Sequence, residues 1–239
     1  MTDELDEKIL KTAEALFIRY GYDKTTLLDV ASEAGISRST LYTRWSRKEA
    51  LFMALVWHSS RRYVADWIAR VEADPEGGGF GSLYRHALLA LEDDAFVKAL
   101  MGQNRRVLGS VLQRPEMRSV IRNRLEMGGQ MLRQFQASGV IRQDVDLEAL
   151  AYLIQSLQYG MLHIDAVLPA ESSPSWDRVS QVMVEVLDRS LTPSDGGNRD
   201  AGKEIVRAML GQMLALIDQA QSVSQADAEE RTQKKGKDA

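Results

Sequence analysis

Apolar residues recur at helical spacing along most of the chain. Ile9, Leu16, Phe17 and Tyr20 fall on one face of a helix. Acidic residues precede them, and their negative charge interacts favourably with the positive end of the helix dipole. Gly21 suits the left-handed position that commonly ends a helix. The pattern therefore predicts a first helix from about residue 3 to residue 20.

Two shorter helices are predicted next, separated by a glycine turn. Thr26 and Asp29 have the spacing of a capping box that opens a second helix, and Gly35 ends it. Ser37 is a good N-cap for the third helix. A helix, a tight turn and a helix in this order have the geometry of a helix-turn-helix, whose second helix lies in the major groove of DNA.

The third helix is followed by a much longer one. Leu41 and Trp45, four residues apart, are predicted to share the buried face of the third helix. Ser46 and Glu49 have the spacing of a second capping box, which predicts that a fourth helix begins near residue 46. Its apolar pattern continues to Val71, so this helix is long enough to join two modules.

Glycine and proline mark the boundaries in the rest of the chain. A break at 74–79 is followed by predicted helices at about 81–92, 94–112, 116–138, 147–168, 175–190 and 201–219. Gly128 and Gly129 interrupt the helix at 116–138, at a cost of about 1 kcal/mol each relative to alanine. Close helix packing or a kink is one interpretation of this pair, and room for a ligand is the other. No strand is predicted, so the fold class is all-α.

The charge distribution points to one basic edge on an acidic body. The 239 residues carry a net charge of −4, yet the stretch from Ile36 to Lys48 contains three arginines and a lysine and no acidic residue. Because charge acts locally, this stretch can bind DNA although the whole chain is acidic.

Several classes of protein are disfavoured by what the sequence lacks. It has no cysteine, no phosphate-binding glycine motif, no nucleophile elbow and no HExxH, so an enzyme is not expected. Robust turnover of a substrate by the purified protein would contradict this expectation. No cofactor is expected. His58, His86 and His163 lack metal-ligand spacing and are interpreted as structural. An acidic N-terminus and the lack of a long apolar run predict a cytoplasmic protein that does not cross a membrane.

A set of short segments keeps a fixed spacing around the helix-turn-helix: Gly21-Tyr22, Thr25-Thr26, Asp29-Val30-Ala31, Ala34-Gly35-Ile36-Ser37, Thr40-Leu41-Tyr42 and Lys48-Glu49-Ala50-Leu51. These segments resemble the DNA-binding domain of the TetR family of repressors, of the TetR/AcrR type. The resemblance covers roughly residues 8–55, and Ser39, Trp45 and Ser46 depart from the usual glycine, phenylalanine and proline.

The resemblance implies roles for the residues of this segment. Phosphate contacts are expected from Thr26, Thr40, Tyr42 and Lys48. Ser37, the N-cap of the reading helix, is also expected among the DNA-binding residues. The expected readers of base edges are Arg38, Ser39, Thr43 and Arg44.

The resemblance also implies the domain plan and the partners. Residues 1–48 are expected to form the three-helix DNA-binding domain, and residues 49–191 a helical ligand-binding and dimerisation domain. An additional amphipathic helix at 199–220 and a disordered tail at 221–239 follow. The expected partners are double-stranded operator DNA, a second copy of the chain paired through 147–168 and 175–190, and a small-molecule effector.

The implied function is a repressor that an effector releases from a palindromic operator. An activator, or a ligand-independent DNA-binding protein of the same fold, stays open as an alternative. Aromatic and polar residues at helical spacing are candidates for the ligand pocket, although such residues more often fill the core: Trp67, Phe96, Met101, Gln155, Tyr159 and His163. The arginine-rich stretch 105–124 is interpreted as a solvated or ion-paired face, with preference for an acidic effector as the alternative.

Overall fold

A computed structural model describes residues 4–75, 77–168 and 173–237. Side-chain environments are described for these residues except residue 165 and residues 220–237. The described backbone contains eleven α-helices and no strand, in agreement with the predicted all-α class. The helices are α1 Glu4–Tyr20, α2 Leu27–Glu33, α3 Arg38–Arg44, α4 Lys48–Ala73, α5 Phe80–Glu92, α6 Ala95–Met101, α7 Arg105–Leu108, α8 Pro115–Ala137, α9 Leu147–His163, α10 Trp176–Leu191 and α11 Arg199–Lys237.

The signals that begin and end the first three helices act as predicted. Gly21 follows α1 with φ +84°, and Gly35 follows α2 with φ +65°. Thr26 accepts a hydrogen bond from the backbone of Asp29, whose carboxylate accepts one from the backbone of Thr26, so the capping box is confirmed. Ser37 caps α3 by accepting from the backbone N–H of Thr40 at 3.0 Å.

Two local predictions are wrong. Helix α4 begins at Lys48 rather than at Ser46, so Ser46 stands in the turn that precedes the helix. The single helix predicted at 94–112 is broken after Met101, where Gln103 adopts φ +50°. Asn104 then caps the short helix α7, and a 3₁₀ turn covers Gly109–Gln113. A residue with positive φ cannot continue an α-helix, which is why the segment divides there.

The chain forms two compact units whose residues alternate along the sequence. The first unit contains residues 1–62, 103–114 and 214–239, and the second contains residues 63–102 and 115–213. Within α4 the division between these two units falls after residue 62. The first fifteen residues of α4 and the segment 103–114 join the N-terminal helices, and α4 and α11 each contribute residues to both units.

An aromatic cluster forms the centre of the first unit. Phe17 lies edge-on to Phe52, with 5.2 Å between ring centroids, and Tyr22 lies edge-on to Phe52 at 5.0 Å. All three side chains are buried, as is Leu41 of α3. Burial of Leu41 is as predicted, whereas Trp45 is only half-buried and forms the C-cap of α3. The cluster thus ties α1 to the start of α4.

In the second unit, helices α5 and α10 pack against each other, and α8 packs against α9. Asp188 of α10 accepts a hydrogen bond from the backbone of Gly81 at the start of α5 at 2.8 Å. The start of α11 is attached through Arg207, which forms an ion pair with Glu72 of α4 at 2.7 Å. These contacts enclose a core that includes Phe80, Phe96 and Phe135.

Helices α9 and α10 expose many apolar side chains in the single chain. In α9 only Leu150 among the described residues is fully buried, whereas Tyr152 is 77% exposed and Leu153 is 50% exposed. In α10 the exposed residues include Val182 and Val186. Contiguous exposed apolar surface of this kind marks an interaction site more often than a solvent-facing one.

The last helix is longer than the sequence predicts. Helix α11 extends to Lys237, beyond the expected end at residue 220, and residues 238–239 lie outside the described residues. No helix in the described ranges combines the length and the apolar composition needed to span a bilayer.

Candidate nucleic-acid interface and ligand cavity

Helix α3 presents a polar face to solvent. Arg38, Ser39, Tyr42 and Thr43 are exposed, whereas Leu41, on the opposite side, is completely buried and fixes the helix to the first unit. Four side chains that carry hydrogen-bond donors thus project from α3, and the buried Leu41 fixes the orientation of this helix. Such donors can bond phosphate oxygens and base edges.

A cluster of hydroxyl groups lies at the N-terminus of this helix. The Oγ of Ser37 lies 2.8 Å from the Oγ of Ser39 and 2.8 Å from the Oγ1 of Thr40. Thr43 donates its hydroxyl to the backbone oxygen of Thr40 at 2.8 Å. Ser37 therefore acts as the cap, and the hydroxyl of Ser39 is oriented by it while the residue stays exposed.

Thr26 and Lys48, the predicted phosphate contacts, stand at the starts of two helices. The hydroxyl of Thr26 donates to the Asp29 carboxylate at 2.7 Å, which lowers the pKa of Asp29. The Nζ of Lys48 donates to the backbone oxygen of Tyr22 at 2.8 Å and lies 4.2 Å from the centre of the Tyr22 ring. Thr26 thus caps α2, and Lys48 holds the turn between α1 and α2, in addition to any contact with DNA.

Arg44 makes a contact that the sequence did not indicate. Its guanidinium forms an ion pair with the carboxylate of Asp6 in α1, and the two side chains are 28% and 12% exposed. The pair joins the C-terminal end of α3 to the first helix. Arg44 is therefore placed to hold the angle between α3 and α1, whereas Arg38 is exposed at the other end of α3.

A double-mutant cycle measures the contribution of this ion pair. Arg44→Met and Asp6→Asn are each expected to lower the free energy of unfolding by about 1–3 kcal/mol, because each leaves a partly buried polar group without its partner. The double variant should lose clearly less free energy of unfolding than the sum of the two single losses. Urea denaturation at fixed protein concentration measures this difference.

Arg62→Met is the matched control for this cycle. Arg62 also pairs with a carboxylate of α1, that of Glu14, but its side chain is 45% exposed. Glu14 is 17% exposed, but the guanidinium of Arg62 is more exposed than that of Arg44, so this variant should cost less than Arg44→Met. Strictly additive losses for Asp6 and Arg44 would contradict the proposed coupling between them.

The segment 103–114 also belongs to this unit, although it is distant in sequence. The backbone N–H of Tyr22 donates to the oxygen of Val107 at 2.8 Å. The Asp23 carboxylate accepts from the backbone and the hydroxyl of Ser110, which lowers its pKa. The sequence contained one usable signal for a break here, the helix-capping Asn104, but nothing that pairs this segment with residues 21–23.

The second unit contains a cavity of about 200 Å³. Helices α4, α5, α6, α8, α9 and α11 supply its lining, which is mostly aromatic and aliphatic. Trp67, Met101 and Gln155 line it, as three of the six predicted pocket residues. The described residues that line it are Tyr63, Trp67, Phe80, Leu83, Tyr84, Ala87, Leu88, Met101, Arg124, Leu125, Met127, Gly128, Gly129, Met131, Leu132, Phe135, Ala151, Ile154, Gln155, Gln158, Leu210 and Met213.

The other three predicted pocket residues lie elsewhere. Phe96 is fully buried in the core. Tyr159 is 58% exposed and stacks on His163, with 4.0 Å between ring centroids. Helical spacing alone does not determine which side of a helix faces a cavity, and α9 turns these two rings away from it.

The glycine pair of α8 lines this cavity. A β-carbon added at Gly128 would meet no atom within 4 Å, and one at Gly129 would meet only the end of the Arg133 side chain. Helix α8 is one continuous α-helix from Pro115 to Ala137. In the single chain, space is therefore left beside the helix at both glycines.

The polar groups of the cavity are few. Trp67 donates its indole N–H to the backbone oxygen of Leu83 at 3.1 Å, and the Tyr84 hydroxyl donates to that of Ile154 at 3.4 Å. Burial raises the pKa values of Tyr63 and Tyr84, so both phenols stay neutral. In the described part of the chain, no group of three histidine or acidic side chains is arranged to hold a metal ion.

Comparison with known proteins identifies the family. Residues 9–55, which run from within α1 through α2 and α3 to the start of α4, match the family model of the bacterial regulatory proteins of the tetR family. By this match the N-terminal domain of the chain is of the TetR-family type. Regulators of the TetR family bind DNA and form dimers, so the exposed polar face of α3 lies in the part of the chain that the family uses for DNA.

Similarity to a known regulator extends well beyond this domain. The HTH-type transcriptional regulator UidR of Escherichia coli (strain K12) is 25% identical to this chain over 160 residues, which cover 65% of the chain and 78% of UidR.

Solved structures share the fold. The fatty acid degradation regulator FadR from Bacillus halodurans has a TM-score of 0.61 at 14% identity, covering 78% of this chain and 96% of its own. FadR from Bacillus subtilis in complex with stearoyl-CoA has a TM-score of 0.59 at 14% identity, covering 76% and 96%. At such identities the likeness concerns the fold alone.

Proposed function

We propose that this TetR-family regulator is a repressor that binds a palindromic operator as a homodimer and leaves it when a small molecule occupies the cavity. The observation that carries the proposal is that one chain combines an exposed, donor-bearing reading helix with a lined cavity in a separate unit.

The proposed DNA contacts follow from the positions of the side chains. Arg38, Ser39 and Thr43 are assigned to base edges because they are exposed on α3. Thr26, Thr40, Tyr42 and Lys48 are assigned to phosphates, for which free backbone N–H groups at helix starts add favourable dipoles. Ser37 supports the reading helix as its cap. Arg44 is assigned to the ion pair with Asp6. It contacts a base edge only if this ion pair breaks when the protein binds DNA.

Dimerisation is assigned to α9 and α10. Both helices expose aliphatic side chains, and a second copy of the same surface would cover them in a two-fold arrangement. A dimer of this kind presents two reading helices, which requires half-sites separated by one helical turn of DNA or a multiple of it.

Release by a ligand requires that the effector bind the DNA-bound form and the DNA-free form of the protein with different affinities. Such coupling is typically 1–3 kcal/mol and is reciprocal, so operator must weaken effector binding by the same factor. Helices α4 and α11 each contribute residues to both units, and each also contributes residues to the cavity lining. These two helices are the proposed route of the coupling.

The experiment that tests the function is operator selection followed by release. Full-length protein should enrich a two-fold symmetric sequence from a random duplex pool, and a metabolite extract should release the protein from it. Failure to enrich any symmetric sequence would contradict operator recognition. Enrichment without release by any extract would favour the ligand-independent alternative.

Arg38→Ala tests the assignment of a base reader. We expect this variant to lose about 1–3 kcal/mol of affinity for the selected operator and to relax the preference at one base pair in each half-site. Lys48→Met is the matched comparison, because loss of a phosphate contact should weaken all sequences evenly and reduce the salt slope by about 1. Quantitative titrations on single-base operator variants measure both effects. An unchanged preference profile for Arg38→Ala would show that another residue reads that position.

A further inference from the structure

The cavity contains one side chain whose charge has no opposite charge beside it. Arg124 of α8 is half-buried and lines the cavity, and one of its terminal nitrogens donates to the sulfur of Met101 at 2.9 Å. Among the described residues no carboxylate lies within ion-pair distance of it. A thioether is a weak acceptor and carries no charge, so it does not compensate the guanidinium.

Other arginines of the second unit form ion pairs with carboxylates. Arg70 lies 2.7 Å from Asp66, Arg85 lies 2.7 Å from Asp177, and Arg207 lies 2.7 Å from Glu72. Arg124 differs from these because it is placed among aromatic and aliphatic side chains. Desolvation lowers its pKa, yet a guanidinium stays protonated in proteins, so the charge is present in the cavity.

Placing an unpaired charge in apolar surroundings costs free energy unless a partner arrives. The neighbouring phenols of Tyr63 and Tyr84 are neutral and cannot supply a negative charge. Within the described lining Arg124 is the one charged residue, which suits a ligand with a single negative charge better than a dianion. A guanidinium binds a carboxylate through two parallel hydrogen bonds, which adds geometric specificity.

The size of the cavity limits the rest of the ligand. An apolar cavity of about 150 Å³ holds benzene in another protein, so a cavity of about 200 Å³ has room for one ring and a short side arm. Trp67, Phe80 and Phe135 provide apolar contacts for such a body.

We infer that the cavity binds a compact amphipathic monocarboxylate, with the ionised carboxyl group on Arg124 and a body of about one ring among the aromatic side chains. The inference deepens the proposed function, on which its regulatory meaning rests, but the binding itself is separable from DNA release.

The test uses three probes with the same body and different head groups. The full-length protein is titrated by calorimetry with 3-phenylpropanoate, 3-phenylpropan-1-ol and 3-phenylpropan-1-amine. Hydrogen bonds to charged groups contribute about 1.5–3 kcal/mol, which corresponds to an affinity for the acid about ten- to a hundredfold higher than for the alcohol. The amine should bind more weakly than the alcohol.

Arg124→Met is expected to remove the preference for the acid while keeping the apolar stem of the side chain. Arg124→Lys should keep part of the preference, because it retains the charge without the planar fork. Arg122→Met is the matched control, since Arg122 is exposed on the same helix and does not line the cavity, and this variant should bind like the parent.

Three results would overturn the inference: equal or tighter binding of the alcohol, an acid preference that persists in Arg124→Met, or no binding of the acid at about 1 mM. Operator release is measured separately. Release by the alcohol alone would keep the proposed function and end the inference. Acid binding through Arg124 without any effect on the operator would keep the site and contradict ligand-controlled repression by this class of molecule.

Discussion

Replacing Leu153 and Val186 together by aspartate is expected to convert the proposed homodimer to a monomer. Leu153 of α9 is 50% exposed and Val186 of α10 is 56% exposed in the single chain, so the substitutions should not disturb its own core. In a dimer that buries both residues, each aspartate places an unpaired charge in an apolar interface. Loss of the second reading helix should then lower operator affinity by about 10²–10⁴-fold.

Sedimentation velocity measures the assembly state, and operator titration measures the affinity. Thermal unfolding and circular dichroism establish that the variant remains helical. Leu216→Asp serves as the control, because Leu216 is a leucine with similar exposure on α11 rather than on α9 or α10. A monomer in this control and a dimer in the double variant would move the interface to α11.

The helix-turn-helix was predictable because its signals are local. A capping box at Thr26 and Asp29, a glycine at 35 and a serine at 37 act within four residues, and each determines a helix boundary through its own backbone bonds. The exposed face of α3 followed from placing Leu41 inside. The same kind of reasoning failed at Ser46, where a matching sequence pattern did not open the helix.

Contacts between distant segments were not predictable in this way. The ion pair of Arg44 with Asp6 and the docking of Ser110 on Asp23 join residues that are 38 and 87 positions apart. The cavity depends on six helices at once, so a residue such as Tyr159 can match the composition of a pocket and still face away. The arginine-rich stretch 105–124 shows the same limit, because Arg114 pairs with Glu49 while Arg124 lines the cavity.

Gly21→Ala is expected to destabilise the protein strongly. Gly21 has φ +84°, a conformation that costs a residue with a β-carbon about 1–2 kcal/mol. A β-carbon at this position would also overlap the backbone oxygen of Arg106, so the segment 103–114 has to move. That movement weakens the bond from Tyr22 to the oxygen of Val107. The combined loss in free energy of unfolding is expected to be about 3–5 kcal/mol.

Gly128→Ala is the matched control, because the same added methyl group meets open space in the interior of α8. Alanine should stabilise the helix by about 0.5–1 kcal/mol and raise the unfolding temperature by about 1–4 °C. Both variants are compared by thermal unfolding at one protein concentration, since dimerisation makes the midpoint concentration-dependent. Opposite signs for one chemical change would assign the effect at Gly21 to its positive φ and its contact with Arg106. A loss of similar size at both positions would instead mean that α8 does not tolerate a β-carbon beside the cavity.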